Sequence, residues 1–138
     1  MILLAIDPGS VHCGLARFDR DGRLVRSHTL SPDELLRYVW LWARDDTTLV
    51  IESFRLDPRI APALAHDPLR TVEVIGALKW IARRASSTVV MQAPAIKRPA
   101  KAMVRRHGIR LSSNQHTADA QLHGYFYLLT HTGEEDTA

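Results

Sequence analysis

The sequence predicts an α/β protein built on a mixed five-stranded sheet with helices on both faces, in the order β-β-β-α-β-α-β-α. Five short apolar or alternating segments have the length of strands, and amphipathic segments of helical period separate or follow the later ones. A strand, helix, strand crossover implies parallel pairing, so the sheet should combine parallel and antiparallel neighbours. The 138 residues fit one domain, 1–138, with 133–138 expected to form a frayed tail.

Three predicted strands open the chain. Residues 2–6 form a continuous apolar run, which is typical of a central strand buried on both faces. Residues 12–18 and 23–29 flank Asp21 and Gly22, a pair that strongly favours a hairpin turn. We therefore expect an antiparallel meander of three strands.

A helix and a fourth strand follow the meander. Ser31 supplies an N-cap, Pro32 suits the first helical position and Glu34 completes a capping box, so a helix is predicted over 32–43. Residues 47–51 form a short run rich in β-branched residues, which predicts the fourth strand.

The second half of the chain alternates helices with the last strand. Apolar residues that recur every third position indicate a second helix, and residues 87–91 form the fifth strand. Pro94 and Pro99 are expected to break the chain before a short basic helix that Gly108 ends. The apolar stripe of the second helix consists of Val72, Ile75, Leu78 and Ile81.

The last helix is predicted to begin near Ser113 or Asn114, which are good N-caps, and to run to about Thr130. One face of this helix should belong to the core, because it carries apolar residues at helical spacing. The residues of that face are Leu122, Phe126 and Leu129.

Charge is distributed unevenly, although the net charge is only +3. Residues 74–118 contain no Asp or Glu, while the rest of the chain carries all 15 acidic residues. A solvated surface is the ordinary explanation of a charge run, but a basic segment of this length favours a polyanionic partner such as nucleic acid. Its basic residues are Lys79, Arg83, Arg84, Lys97, Arg98, Lys101, Arg105, Arg106 and Arg110.

The composition is typical of a globular protein. Hydrophobic residues make up 46% of the chain and charged residues 24%, and no apolar run approaches the roughly 20 residues that a membrane helix needs. Asp7 interrupts the first apolar run, where a signal peptide would stay apolar up to its cleavage site. We expect a cytoplasmic protein with no membrane partner.

Two of the predicted strands end in a carboxylate, Asp7 after the first and Glu52 after the fourth. If these strands are parallel neighbours, both acids lie at the carboxyl edge of the sheet, where open α/β sheets bind ligands. Adjacent anions repel each other unless a cation lies between them. His116 and Asp119, three apart on the last helix, project from one face and can complete the group. Oxygen donors without a thiolate suit Mg²⁺ or Mn²⁺ better than zinc.

Each of these residues also has a simpler interpretation. Asp7 could cap the turn that follows it, Glu52 could pair with Arg55, and the polar residues of the last helix could favour the helix dipole. Together these explanations are weaker, because two acids end otherwise apolar strands and a third lies on the closing helix. His123 shares the face of Asp119 and is the best additional candidate.

The motifs and their order resemble the RuvC family of Holliday junction resolvases, which have the ribonuclease H-like fold. The resemblance rests on Ala-Ile-Asp-Pro-Gly-Ser at 5–10, Val-Ile-Glu at 50–52, a helix that contains Gly76, and His-Thr-Ala-Asp-Ala at 116–120. The first motif alone would be weak, because actin-like ATPases also place an Asp and a Gly after their first strand. The compact chain looks like bacteriophage variants, so the expected setting is a bacterial or phage-infected host cell.

The resemblance implies a divalent-metal-dependent endonuclease that acts as a homodimer and cuts two strands of a four-way DNA junction symmetrically. The implied metal-binding and catalytic residues are Asp7, Glu52, His116 and Asp119. Two Mg²⁺ or Mn²⁺ ions about 4 Å apart would hold the scissile phosphate, activating a water and stabilising the leaving 3′ oxygen. Asp7 would bridge the ions, and His116 could be a ligand or a proton carrier.

The basic segment would then contact DNA phosphates, which supply affinity and orientation. Phe54 lies near the position of an aromatic wedge in the family, although it could equally belong to the core. The dimer face is expected on the second helix, through Val74, Trp80 and the apolar stripe. The basic DNA-contact candidates are Arg55, Lys97, Arg98, Lys101, Arg105 and Arg106.

Other functions remain open from the sequence. A nuclease of the same fold could cut forks, flaps or other branched DNA, since residues 92–113 depart from the family's usual lysine-bearing stretch. A non-nuclease YqgF-like or nucleotide-binding relative is less favoured, because Glu52 at the end of the fourth strand is not expected in that group. A DNA-binding module without activity is disfavoured, because all four positions of the site are filled.

Overall fold

The computed structural model describes residues 1–54 and 66–135 and contains the mixed five-stranded sheet that the sequence predicts. Its strands are β1 (Ile2–Asp7), β2 (Cys13–Phe18), β3 (Leu24–Leu30), β4 (Thr47–Glu52) and β5 (Thr88–Gln92). They lie in the order β3-β2-β1-β4-β5. The first three pair antiparallel as the expected meander, whereas β4 pairs parallel with both β1 and β5.

Four helices and one 3-10 turn lie in the described part of the chain. They are α1 (Pro32–Trp42), α2 (His66–Ala85), the 3-10 turn (Pro94–Ile96), α3 (Lys97–Arg106) and α4 (Gln115–Glu135). The predicted order of elements omits α3, which is the short basic helix expected between the last strand and the last helix.

A proline lies near the start of α3, and a glycine follows its end. The expectation that Pro99 breaks the chain before the basic helix is wrong, because this residue lies in the first turn of α3. The first N–H groups of a helix have no intrahelical acceptor, so a proline costs little there. Gly108 follows α3 with a φ of 66°, as expected for a residue that ends a helix.

The start of α1 is fixed by the predicted capping box. Ser31 Oγ accepts a hydrogen bond from the backbone N–H of Glu34 at 3.2 Å, and Glu34 Oε1 accepts one from the backbone N–H of Ser31 at 3.2 Å. Ser31 directly follows β3, so the chain turns from the meander into the helix without a longer loop.

Helices α1 and α2 cover one face of the sheet. Leu35 and Val39 of α1 pack there with the buried side of α2. Val72 departs from the predicted stripe of α2, because its side chain is 41% exposed. The residues of α2 that face the sheet are Val74, Ile75, Leu78, Ile81 and Ala82.

Helix α4 covers the opposite face, and α3 packs against α4. Leu122 and Phe126 lie in the cluster between α4 and α3, and Leu129 is only partly buried. Small residues make the contact with the sheet: Ala120 is buried among strand residues, and a Cβ on Gly124 would lie 2.2 Å from a ring atom of Phe18. The helix therefore lies close to the sheet along a side that the apolar pattern did not indicate.

The two ends of α4 differ in how well the sequence predicted them. Asn114 caps the start as expected, since its Oδ1 accepts hydrogen bonds from two backbone N–H groups of the first turn at 3.0 and 3.2 Å. The helix continues to Glu135, past the predicted end at Thr130 and into the segment 133–138 that was expected to fray. None of the described helices has the length and apolarity needed to cross a membrane.

Candidate active site

Three adjacent strands end in polar side chains at the carboxyl edge of the sheet. Asp7 ends β1, Glu52 ends β4 and Gln92 ends β5, and the last two are register partners. Ala5 and Val50, two residues earlier on β1 and β4, pack toward α4. Because side chains alternate along a strand, Asp7 and Glu52 also face α4.

The first turns of α4 complete the group. Asp119 is buried, and Asp7, Glu52 and Asp119 each offer one carboxylate oxygen within 4.8 Å of the other two. We call these three residues the acidic cluster. His116 lies at its edge, with Nδ1 3.6 Å from Oδ2 of Asp7 and a side chain that is 44% exposed. The four residues indicated by the sequence thus meet at one end of the sheet.

Gly14 permits this approach of α4 to the sheet. It is the register partner of Asp7 on β2, and a Cβ at this position would lie 1.8 Å from the backbone oxygen of His116. That neighbour is backbone and cannot swing aside as a flexible side chain would. The first turn of α4 can therefore lie over β2, next to Asp7, only because residue 14 lacks a side chain.

Lys97, the first residue of α3, reaches the acidic cluster. Its Nζ lies 3.3 Å from Oε2 of Glu52 and 3.3 Å from Oδ2 of Asp119, and its side chain is 26% exposed. The sequence grouped Lys97 with the surface residues expected to contact phosphates. Its position differs from theirs, because its ammonium group pairs with two carboxylates of the candidate site.

His123 joins Glu52 to Gln92. The histidine is fully buried, with Nε2 2.8 Å from Oε2 of Glu52 and Nδ1 2.8 Å from Oε1 of Gln92. On the other side of the cluster, Gln115 Nε2 donates a hydrogen bond to Oδ1 of Asp119 at 2.7 Å. Each of these carboxylates is thus held by a neighbouring side chain.

Two carboxylates of the cluster have opposite pKa shifts. Burial, followed by the charges of Glu52 and Asp119, raises the pKa of Asp7 to about 7, and the charge of Lys97 only partly opposes this. Burial also raises the pKa of Glu52, but the hydrogen bond and charge of His123, together with Lys97, outweigh it and lower that pKa overall.

The donor set fits a divalent cation. Three carboxylates converge from separate elements, and hard oxygen donors suit Mg²⁺ or Mn²⁺. A cation among them would favour the charged form of Asp7, whose pKa is raised by burial and then by the charges of the other two acids. Cys13, the single cysteine of the chain, is buried in the core formed with α1 and α2, so no thiolate contributes.

The other basic residues of α3 are exposed, and they form what we call the basic surface. Lys101 and Arg105 follow Lys97 at intervals of four, which places them on one side of the helix, progressively farther from the cluster. Arg55, another candidate for a DNA contact, lies outside the described residues. The basic surface consists of Arg98, Lys101, Arg105 and Arg106.

Phe54, two residues beyond Glu52, is not a core residue, since its side chain is 41% exposed. It lines an open depression of about 410 Å³ together with Val72, Gly76 and Met91. An exposed aromatic ring therefore follows β4, the strand that ends in Glu52 of the acidic cluster.

The exposed side of α2 differs from the one that the sequence indicated for a dimer face. Val74 is only 5% exposed and faces the sheet with most of the apolar stripe, so that part of the expectation is wrong. Trp80 is 55% exposed and stacks on Trp40 of α1, with ring centroids 6.1 Å apart. The exposed apolar residues of α2 are Leu69, Val72 and Trp80.

Comparison with solved structures identifies the fold. The chain is similar to T. thermophilus RuvC in complex with a Holliday junction substrate, with a TM-score of 0.68 and 19% identity over 96% of this chain and 97% of that one. A second Thermus thermophilus RuvC structure gives a TM-score of 0.66 and 20% identity, covering 96% and 98%. The fowlpox virus Holliday junction resolvase gives 0.60 and 12%, covering 94% and 99%. No family model and no curated protein matches the chain.

The chain therefore has the RuvC-like ribonuclease H fold that the sequence motifs predicted. Over nearly its whole length, its elements follow those of two kinds of resolvase.

Two features of the site were not apparent from the sequence. Lys97 is one of the nine basic residues of segment 74–118, and nothing in its local sequence distinguishes it from the exposed ones. Gln92 ends a strand as Asp7 and Glu52 do, but its side chain lacks the charge that indicated the two acids. Its position at the end of the fifth strand was the available signal.

Proposed function

We propose that this chain is a divalent-metal-dependent endonuclease that resolves four-way DNA junctions by paired, symmetric cleavage of phosphodiester bonds. The observation that carries the proposal is the acidic cluster, three carboxylates within 4.8 Å at the carboxyl edge of the sheet. Similarity of fold to a RuvC solved with a Holliday junction substrate supports junction DNA as the substrate. The basic surface of α3 supports a polyanionic one.

Asp7, Glu52 and Asp119 are the proposed metal-binding residues, and Mg²⁺ is the proposed cofactor, with Mn²⁺ as a substitute and two ions per site. Bound ions would activate the attacking water and stabilise the departing 3′ oxygen. The chain contributes carboxylates that are already gathered in the folded protein. Glu52 and Asp119 are held by hydrogen bonds from His123 and Gln115.

His116 is proposed to carry a proton at the edge of the site. Its Nδ1 is 3.6 Å from Oδ2 of Asp7, and its partly exposed ring can exchange protons with water. Histidine titrates near neutral pH, so it can both take and give a proton under ordinary conditions. Because three carboxylates gather without it, a proton carrier is favoured over a metal ligand.

Lys97 is proposed to contact the phosphate at the cleavage point. Its ammonium group already faces Glu52 and Asp119, so a phosphate beside the carboxylates would lie within its reach. The exposed residues of the basic surface would hold the flanking backbone, and Phe54 would contact unstacked bases at the branch. In this proposal, Lys97 of α3 contacts the reacting phosphate and the basic surface contacts the phosphates on either side of it.

A homodimer is proposed because two symmetric cuts require two active sites, and the described residues of one chain hold one acidic cluster. Leu69, Val72 and Trp80 are the candidate contact residues, since they are the exposed apolar side chains of α2. Light scattering at micromolar concentration should give twice the mass of the 138-residue chain. A monomer under these conditions would contradict the dimer.

The function is tested by incubating the protein with labelled four-way junction, fork, flap and linear duplex DNA, each with Mg²⁺ and each with EDTA. We expect paired nicks at symmetric positions in the junction, with Mg²⁺ only. Comparable cutting of forks or flaps would instead favour a branched-DNA nuclease of broader specificity. No cleavage of any DNA, with nucleotide binding in its place, would overturn the proposal.

A further inference from the structure

The contact of His123 with Gln92 has no role in the function proposed above. The histidine lies one helical turn beyond Asp119 on α4, and its ring is completely buried. One ring nitrogen meets Glu52 and the other meets Gln92, both at 2.8 Å. A ring held at both nitrogens can neither rotate nor move along the helix axis without breaking one of these contacts.

The three residues of this chain of contacts come from three elements. Glu52 and Gln92 are register partners at the ends of β4 and β5, and His123 lies on α4, which packs over that face of the sheet. The histidine therefore ties the two strand ends to the helix at the edge where the acidic cluster lies. A side chain in this position can limit the orientations open to the Glu52 carboxylate.

The direction of the hydrogen bond to Glu52 is the same in both proton states of the ring. A charged ring donates from Nε2 to Glu52 and from Nδ1 to the Gln92 oxygen. A neutral ring donates from Nε2 to Glu52 and accepts at Nδ1 from the Gln92 amide group after that amide is turned over. In each case the donor toward Glu52 is an N–H, and the ring stays fixed by Gln92.

We propose that His123 is a positioning residue: with Gln92 behind it, it holds the Glu52 carboxylate in the orientation that metal binding requires. This inference rests on the metal-dependent function proposed above. Side chains that hydrogen-bond to metal-binding groups typically change metal affinity by about 10- to 100-fold when they are removed. His123 itself is not offered as a ligand, because its ring is fully buried and Nε2 is already engaged by Glu52.

The test measures Mn²⁺ binding to the DNA-free protein by the loss of the free-ion EPR signal, so it does not depend on cleavage. His123→Leu should weaken Mn²⁺ binding at least about tenfold. His123→Gln should recover most of the affinity, since its terminal amide can donate to Glu52 from nearly the same place. Gln92→Leu leaves the histidine but frees its ring, and it should give an intermediate loss.

Gln121→Leu is the matched control. Gln121 is buried on the same helix and hydrogen-bonds to Ser112 and Ser27, away from the acidic cluster. It should lose stability as His123→Leu does while keeping the wild-type Mn²⁺ affinity. If His123→Leu does not fold, the comparison of Gln92→Leu with Gln121→Leu decides.

The outcomes separate this inference from the function on which it rests. Wild-type Mn²⁺ affinity in the His123→Leu or Gln92→Leu protein overturns the positioning role while leaving a metal-dependent nuclease intact. Equal loss of affinity in Gln121→Leu also overturns it, because the effect would then be general destabilisation. If the wild-type protein and Asp7→Asn bind Mn²⁺ equally weakly, both proposals fail.

Discussion

Asp7 and Glu52 end neighbouring parallel strands at the same edge of the sheet, yet their surroundings differ. Glu52 receives a hydrogen bond from buried His123 and lies beside Lys97, so its charge is supported and its pKa is lowered. Asp7 is buried beside two acids of like charge, which the charge of Lys97 only partly offsets, and its pKa is raised to about 7.

The contrast shows that one site holds two kinds of carboxylate. The Glu52 carboxylate is already held in place in the folded chain, and His123 and Lys97 stabilise its charge. On the Asp7 side, burial and then the charges of two neighbouring acids disfavour the charged carboxylate, so a bound cation should stabilise the protein mainly there.

The largest expected effect is on cleavage by Asp7→Asn. The substitution removes the carboxylate that faces both other acids, so cleavage of a junction in Mg²⁺ should fall to background while junction binding is retained. Gel-based cleavage and binding assays measure the two activities. Glu73→Gln, which neutralises an exposed acid on α2, is the control and should cleave normally. An active Asp7→Asn protein would remove Asp7 from the site.

Neutralising the basic surface should weaken DNA binding without altering the different surroundings of Asp7 and Glu52. Six phosphate contacts, as the sequence suggested, would make log affinity fall with log salt at a slope of about minus 5. Changing Arg98, Lys101, Arg105 and Arg106 to Gln should make that slope shallower by about 3 to 4. Titration of junction DNA at several salt concentrations measures it. An unchanged slope would exclude this surface from DNA binding.

The two carboxylates should have opposite effects on stability in the absence of metal. Glu52→Gln removes charge-assisted hydrogen bonds and should lower the free energy of unfolding by about 1 to 3 kcal/mol. Asp7→Asn removes a repelled charge and should raise the melting temperature at pH 8. Urea unfolding and thermal melts in EDTA measure both. Changes of the same sign in the two variants would contradict the contrast.

A smaller effect is the dependence of stability on pH. The folded-state pKa of Asp7, about 7, lies above its ordinary value of 3.8, so the folded protein binds a proton that the unfolded chain has released. The stability that this proton contributes is present at low pH and is lost as pH rises through about 7. The melting temperature in EDTA should therefore fall from pH 5 to about 7 and then level off.

The variant Asp7→Asn supplies the control for this pH dependence, since it should flatten the same curve. Saturating Mg²⁺ should flatten it as well, because a cation favours the charged carboxylate over the protonated one. A wild-type melting temperature that rises over this interval would show that other groups dominate.

The sequence predicted the sheet and the three carboxylates of the acidic cluster for a physical reason. Apolar strands that end in acids are costly unless the acids meet, and parallel pairing of β1 and β4 makes Asp7 and Glu52 meet. The contacts of Lys97 and His123 with Glu52 depend on how closely α4 packs against the sheet. That distance is set by small residues such as Ala120 and Gly124, whose effect no local pattern expresses.

Gly14 determines how closely the first turn of α4 can approach the sheet. Because α4 rests on the bare backbone of β2 at this residue, a single added methyl group would clash with the backbone of His116 and force the first turns of the helix, which carry Asp119, away from Asp7. The three carboxylates of the acidic cluster could then all remain in the sequence while lying too far apart to share an ion. The width of the gap between helix and sheet thus decides, as much as the acids themselves, whether one ion could lie among them.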